Sequence, residues 1–261
     1  MSEAISVRVP EWARLVTAPN PGPMTLGGTN SWLLRSQTSR DRVIVVDPGP
    51  LEESHLLELA MHGDVEQILL THGHRDHSEG AQRLHAITGS PVRSWDPQWL
   101  QHADRFQDRE RIVLNELTVE VIHTPGHTGD SVSFVVRHAD GTAALITGDS
   151  ILGRGTSVIA HPEGRLVDYL STLERLSGVG DVVVLPGHGP VSGTAVEQAT
   201  HYLTHRLERL DEVRTAISSG AESEQDVFAA VYAGVQPELR DAAMLSVQAQ
   251  LHYLRQMGEI E

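Results

Sequence analysis

The segment Thr71-His72-Gly73-His74-Arg75-Asp76-His77 places three histidines and an aspartate within six residues, directly after the apolar run Ile68-Leu69-Leu70. It narrows the fold more than any other feature, because weaker echoes of it recur downstream. His127 closes the run that begins at Val119, Asp149 the run that begins at Ala143, and His188 the run that begins at Val182. A further run, Val43-Ile44-Val45-Val46, leads into Asp47-Pro48-Gly49. Runs this short, rich in Val and Ile and lacking clean alternation, read as strands buried on both faces of a layered α/β sheet. Donor side chains at their carboxyl ends then gather at the edge where α/β folds place ligands. Helical spacing fills the intervals: Leu51–His62, Asp168–Ser177, and Ser78–Thr88 with Ser78 as its cap and Gly89 as its stop.

Positions 72, 74 and 77 do not follow the i, i+4 spacing that brings two histidines onto one helix face, so the cluster reads as a loop leaving a strand. Residues two apart there point the same way, and Gly73 lets the backbone fold close around a cation. His72, His74, Asp76, His77, His127, Asp149 and His188 are more donors than one tetrahedral ion takes, and two ions is the economical reading. All offer nitrogen or oxygen, which suits Zn²⁺ and admits Mn²⁺ or Fe²⁺. The chain of 261 residues has 15 His, no Cys and no Lys. Thiolate nucleophiles, disulfides, cysteine-held metals, a P-loop lysine and a Schiff-base lysine are therefore excluded.

The run His72-x-His74-x-Asp76-His77, followed by Pro125-Gly126-His127, Gly148-Asp149 and Pro186-Gly187-His188, resembles the metallo-β-lactamase-fold hydrolases. More narrowly, Gly28-Thr29-Asn30, Asp47-Pro48-Gly49-Pro50, the stretch from Thr147 to Thr156 and the helical tail resemble the beta-lactamase-like protein 2 group. The resemblance implies an α/β architecture, an αββα sandwich with a small C-terminal helical domain. It implies that His72, His74 and His127 hold one metal, that Asp76, His77 and His188 hold the other, and that Asp149 bridges them. Two divalent ions about 3.5–4 Å apart can share a water whose pKa falls toward roughly 7. Asp76, beside that water, is the expected proton-handling group. Asp47 is expected either to fix a ligand histidine's tautomer or simply to form the turn before Pro48.

Departures from relatives prune the activity. Asp149 stands where some β-lactamases carry Cys, His74 stands where the flavodiiron pattern has Glu, and 38 residues between Asp149 and His188 cannot hold an inserted RNA-binding domain. Three readings remain. The group resemblance implies a phosphodiesterase or endoribonuclease acting on single-stranded RNA, and this leads. The second is hydrolysis of a small ester, thioester or lactone, as in glyoxalase II relatives. The third is a persulfide dioxygenase using one iron at positions matching His72, His127 and Asp149. Charge favours the second reading: single-strand binders combine a basic groove with aromatic platforms, whereas this chain has a formal net charge of −15 and 4% aromatic residues. Arg154, in a Gly-Arg-Gly loop five residues after Asp149, is the expected substrate contact, with Arg75 and Arg165 completing a local patch.

Composition shifts near residue 193, which divides the chain into a catalytic domain, 1–193, and an appendage, 194–261, with amphipathic stretches at Ala195–Ser218, Gln225–Gly234 and Pro237–Met257. The appendage resembles a winged helix with little room for a wing, and residues 201–261 carry five Arg against ten Asp and Glu. It is therefore expected to shape the cleft or a homodimer contact and not to enter a DNA groove. Trp95 and Trp99 could line the cleft or pack in the core, and His123 and His161 are expected to be structural. The start lacks a basic segment followed by an apolar run, and no stretch approaches the roughly 18 apolar residues of a membrane span, so the reading is a soluble, cytoplasmic protein.

Overall fold

The computed structural model describes residues 8–35, 42–191 and 193–261. Two five-stranded mixed sheets face each other. The first is ordered β1 (Ala13–Thr17), β2 (Asn30–Arg35), β3 (Arg42–Val46), β4 (Asp64–Leu69) and β5 (Val92–Arg93). The second runs β10 (Val183–Pro186), β9 (Ala143–Gly148), β8 (Val132–His138), β7 (Leu117–His123) and β6 (Arg111–Leu114).

Residue parity explains the layers, since successive side chains on a strand point to opposite faces. On β3, Ile44 and Val46 join a core between the sheets, while Val43 and Val45 join a second cluster with Leu56, Leu59 and Leu84 from the helices α1 (Glu53–Ala60) and α3 (Ala81–Thr88). On β8 and β9, Phe134, Val136 and Ile146 face the inter-sheet core, while Val135 and Leu145 face a third cluster. That third cluster takes in α4 (Leu166–Ser177) and the C-terminal helices α5 (Ala195–Ser218) and α7 (Arg240–Gln256), with α6 (Glu224–Val231) beside them. The result is the αββα sandwich expected. The C-terminal helices share their apolar cluster with α4 and the outer face of the second sheet.

The five apolar runs of the sequence all form strands. Five more strands, β1, β2, β5, β6 and β8, complete the two sheets. Two local expectations change. Asp76 and His77 lie in a four-residue helical turn, α2 (Arg75–Ser78), because His74 offers its carbonyl to the amides of both His77 and Ser78 at 2.9 and 3.0 Å. Ser78 does not cap α3: its hydroxyl donates to the carbonyls of Gly73 and His74, and Gly80 precedes the helix instead. Gly89 does end α3, in the left-handed conformation that a glycine adopts without strain.

β3 runs parallel to β4, and β9 parallel to β10. Their carboxyl ends therefore share one rim of the sandwich, and β7, antiparallel to β8 as β9 is, points the same way. Among the described residues no strand follows β10, and no helix is long and apolar enough to cross a membrane.

Candidate metal centre

Asp47 organises the rim. It follows β3 in the left-handed region, with φ of 53°, and is 1% exposed. Its Oδ1 accepts the amide of Thr71 at 2.7 Å, and its Oδ2 accepts both the Thr71 hydroxyl at 2.7 Å and Nδ1 of His77 at 2.8 Å. Having given its proton to Asp47, the Thr71 hydroxyl accepts from Nδ1 of His72 at 3.0 Å. One carboxylate thus sets the tautomer of two histidines, one directly and one through a hydroxyl, and turns both Nε2 lone pairs inward.

The opposite sheet supplies its donors in the same way. Nδ1 of His127 donates to the Val158 carbonyl at 2.5 Å, and Nδ1 of His188 to the Gly28 carbonyl at 3.2 Å. Asn30 holds the His188 loop by donating to the carbonyls of Pro186 and Gly189 at 3.0 and 2.9 Å, and the Trp32 indole donates to the Pro186 carbonyl at 3.1 Å. A Cβ on Gly187 would lie 2.7 Å from Oδ1 of Asp149 and 2.8 Å from Cε1 of His77, so only glycine lets this loop pass the cluster.

All seven donors converge. Donor atoms of His72, His74 and His127 lie within 4.8 Å of one another, as do those of His72, His77 and Asp149 and those of Asp76, His77 and His188. Nε2 of His127 faces Nδ1 of His74 at 3.0 Å, and Nε2 of His77 faces Nε2 of His188 at 3.1 Å. Oδ1 of Asp149 stands 3.4 Å from His77 and 3.5 Å from His188, and its Oδ2 stands 3.7 Å from His127. His72 Nε2 and Asp149 Oδ1 are buried without a hydrogen-bond partner. Because the outer ring nitrogens of His72, His77, His127 and His188 already donate, their inner nitrogens face one another and Asp149 at close range, where a proton or a cation must stand between them. Such an arrangement needs a positive charge among them, and the donor set fits divalent ions.

Electrostatics divides the cluster. Burial pulls His72 well below the usual imidazole range and His127 down to about 4, with Asp149 opposing the shift. Burial acts the same way on His77 and His188, but there the carboxylates outweigh it. Asp149, Asp47 and Asp76 hold His77 well above its ordinary value, and Asp149 and Asp76 raise His188 to about 9. Burial would raise Asp149 and Asp76, yet His188 and His77 bring the first well below the carboxylate range and the same two histidines lower the second.

The other expected site residues scatter. Arg154 is exposed at the mouth of a cavity of about 290 Å³ that reaches His127 and Asp149. Arg75 pairs with Glu79 and Arg165 with Asp168, and of the three arginines Arg154 lines that cavity. Trp95 stacks on His123 with centroids 3.8 Å apart, and His161 packs against His252. Trp99 lies over the ligand loop, its indole nitrogen 2.7 Å from where a Gly73 Cβ would stand, so Gly73 makes room for an indole. Thr71 and Asn30 stand inside the sequence motifs without an assigned role there, and Tyr202 and Arg206 carry no signal in the sequence. Tyr202 accepts the Leu152 amide at 3.0 Å and donates to the Gly155 carbonyl at 2.9 Å, fixing the loop after Asp149.

The pattern of the metallo-beta-lactamase superfamily matches residues 24–188. A beta-lactamase-like protein 2 homolog of Caenorhabditis elegans is 31% identical over 253 residues, covering 93% of this chain and 83% of that protein. An atrochrysone carboxyl ACP thioesterase of Aspergillus fumigatus is 28% identical over 236 residues, covering 87% and 71%. A beta-lactamase domain protein from Burkholderia ambifaria has the same fold, with a TM-score of 0.80 at 21% identity over 97% of this chain and 88% of its own.

Proposed function

From the premise that this chain belongs to the metallo-beta-lactamase superfamily and is a hydrolase of its fold, we propose that it cleaves acyl esters or thioesters with two divalent ions, Zn²⁺ in first place. His72, His74 and His127 would hold one ion, Asp76, His77 and His188 the other, and Asp149 would be shared. The position of Asp149 carries the reading, since its two oxygens face histidines of both sets at 3.4 to 3.7 Å. When bound, such ions supply Lewis acidity toward the scissile oxygen and acidify water.

The protein's own groups do the rest. Asp47 and the Gly28 and Val158 carbonyls orient the imidazoles. Asp76 is 29% exposed at its side chain, which leaves it open to the cleft, where its carboxylate takes the proton of the attacking water and returns it to the leaving group. The cavity beside His127 and Asp149 is walled by Leu26, Leu152, Val158, Leu239 and Ala242, a lining that suits an acyl chain. The thioesterase among the relatives supports that choice. Single-stranded RNA is the second reading, resting on the likeness to the beta-lactamase-like protein 2 group. Against it stand the acidic balance and the few aromatic side chains.

The test is purified protein and its Asp76→Ala variant, assayed side by side on acyl thioesters, bis-p-nitrophenyl phosphate and single-stranded RNA, with metal content measured on each. Thioester hydrolysis lowered about 10²–10⁴-fold in the variant, with two zinc per wild-type chain, is the expected result. RNA cleavage confined to the wild type, without acyl hydrolysis, would replace it with the RNA reading. One iron per chain and oxygen uptake would replace it with the dioxygenase reading.

A further inference from the structure

The cavity between the candidate metal centre and the C-terminal helices has a charge opposite to that of the chain. The protein carries a formal net charge of −15, yet the charged lining here is Arg154, Arg206 and Asp149, with His205 beside them, and Asp149 already belongs to the metal cluster. Arg206 comes from the middle of α5 and is 3% exposed. One of its terminal nitrogens donates to the Ser157 carbonyl, its Cζ lies 5.1 Å above the Tyr169 ring, and its Nε has no hydrogen-bond partner. Among the described residues it forms no ion pair with a carboxylate, whereas Arg209 and Arg214 on the same helix pair with Glu212, Asp211 and Glu259.

A guanidinium does not shed its proton, so burying it without a counter-charge is unfavourable by the general rule for buried ions. The Ser157 carbonyl and the Tyr169 side chain, through its ring face and its hydroxyl, offset part of that cost. An anion arriving in the cavity would offset far more, because a carboxylate matches the planar fork of donors. The apolar part of the same lining, Leu26, Leu152, Val158, Leu239 and Ala242, suits methylene groups. At about 30 Å³ for a water-sized group, the cavity has room for a chain of roughly six to ten heavy atoms.

We propose that Arg206 is an anion-recognition residue and that this cavity receives an aliphatic acyl chain ending in a carboxylate, its reacting carbonyl at the His127 and Asp149 end. This rests on the hydrolase reading above and names its substrate class. Arg154, exposed at the mouth, draws the anion inward through an otherwise acidic surface.

The test compares adipoyl and heptanoyl thioesters of one leaving group, N-acetylcysteamine, on the full chain loaded with zinc. Wild type is expected to favour adipoyl at least tenfold in kcat/KM, chiefly through KM. Arg206→Gln is expected to lower that ratio to about one, and Arg206→Lys, which keeps the charge, to retain most of it. A wild-type preference for heptanoyl, or an equal loss on both substrates in Arg206→Gln, would overturn the proposal and leave Arg206 a structural brace of the Ser157 loop. If neither thioester is hydrolysed, the hydrolase reading fails first, and calorimetric binding of adipic acid monoamide decides the anion site by itself. Tenfold weaker binding in Arg206→Gln than in wild type supports the site, and equal affinity overturns it.

Discussion

The two sets of candidate ligands lie side by side and are prepared by opposite means. His72, His74 and His127 contain no carboxylate, and the outer nitrogens of His72 and His127 rest on a hydroxyl and a peptide carbonyl. Burial keeps His72 and His127 neutral. Asp76, His77 and His188 face Asp149, and His77 leans on the Asp47 carboxylate, so this second set attracts protons. They also depend on different parts of the molecule. The His127 partner lies in the Ser157–Val158 loop, which α5 braces through Arg206 and Tyr202, whereas His188 and His77 are held from the first sheet by Gly28, Asn30 and Asp47. Two neighbouring sites built this differently should separate in pH response and in sensitivity to mutation.

Asp47→Asn should produce the largest effect, because Asp47 reaches both sets. Asparagine tolerates the left-handed backbone, so the change isolates the charge and the acceptor geometry. Metal affinity should fall about 10–100-fold for the second set, with a smaller loss for the first, in competition with a chromophoric chelator. Equal loss at both would show that the Thr71 hydroxyl transmits the full effect, and no loss at either would break the comparison.

Next in size is a pH dependence with two arms in chelator-treated protein. His188, raised to about 9 from an ordinary 6.5, adds stability that is complete below about 6.5 and disappears as pH climbs through 9. His127, lowered to about 4, is neutral when folded, so stability falls as pH drops from about 6.5 toward 4, where only the unfolded chain takes up the proton. Scanning calorimetry should therefore give a Tm maximum near pH 6.5. The rise in Tm on adding zinc should grow between pH 6.5 and 9, since the ion then displaces fewer protons. A Tm that is flat above pH 6.5 would remove the electrostatic distinction.

Tyr202→Phe should have the smallest effect. It removes two hydrogen bonds to the loop between Asp149 and Val158, at a cost of about 1–2 kcal/mol in stability. It should weaken metal retention at the first set a few-fold and leave the second unchanged in timed dialysis against chelator. Equal weakening of both would mean that α5 supports the whole rim.

What the sequence displays and what it conceals follow from the same physics. The seven donors are legible because they are uncommon residue types at the ends of apolar runs, and the parallel strands deliver them to one rim. The layers are legible because Val and Ile mark strands buried on both faces. Thr71 is not, since nothing distinguishes a threonine that relays between Asp47 and His72 from any other beside a histidine. Arg206 is concealed for a different reason. Amphipathic spacing assigns an arginine to the solvent face, and only tertiary packing shows that α5 buries this one beside a cavity. The short turn α2 is settled by the His74 carbonyl, a backbone acceptor that no residue type advertises.

Each candidate set draws on both sheets. His72, His74, Asp76 and His77 follow β4 of the first, while His127, Asp149 and His188 follow β7, β9 and β10 of the second. On the two-ion reading proposed above, each ion would draw donors from both sheets, so loading would follow their docking and free energy from ion binding would go to the docked state only. On that reading His188, which precedes α5, is the last donor made, so loading of the second set would be a late reporter of folding: a chain stalled before that residue would hold every donor of the first set and an incomplete second one.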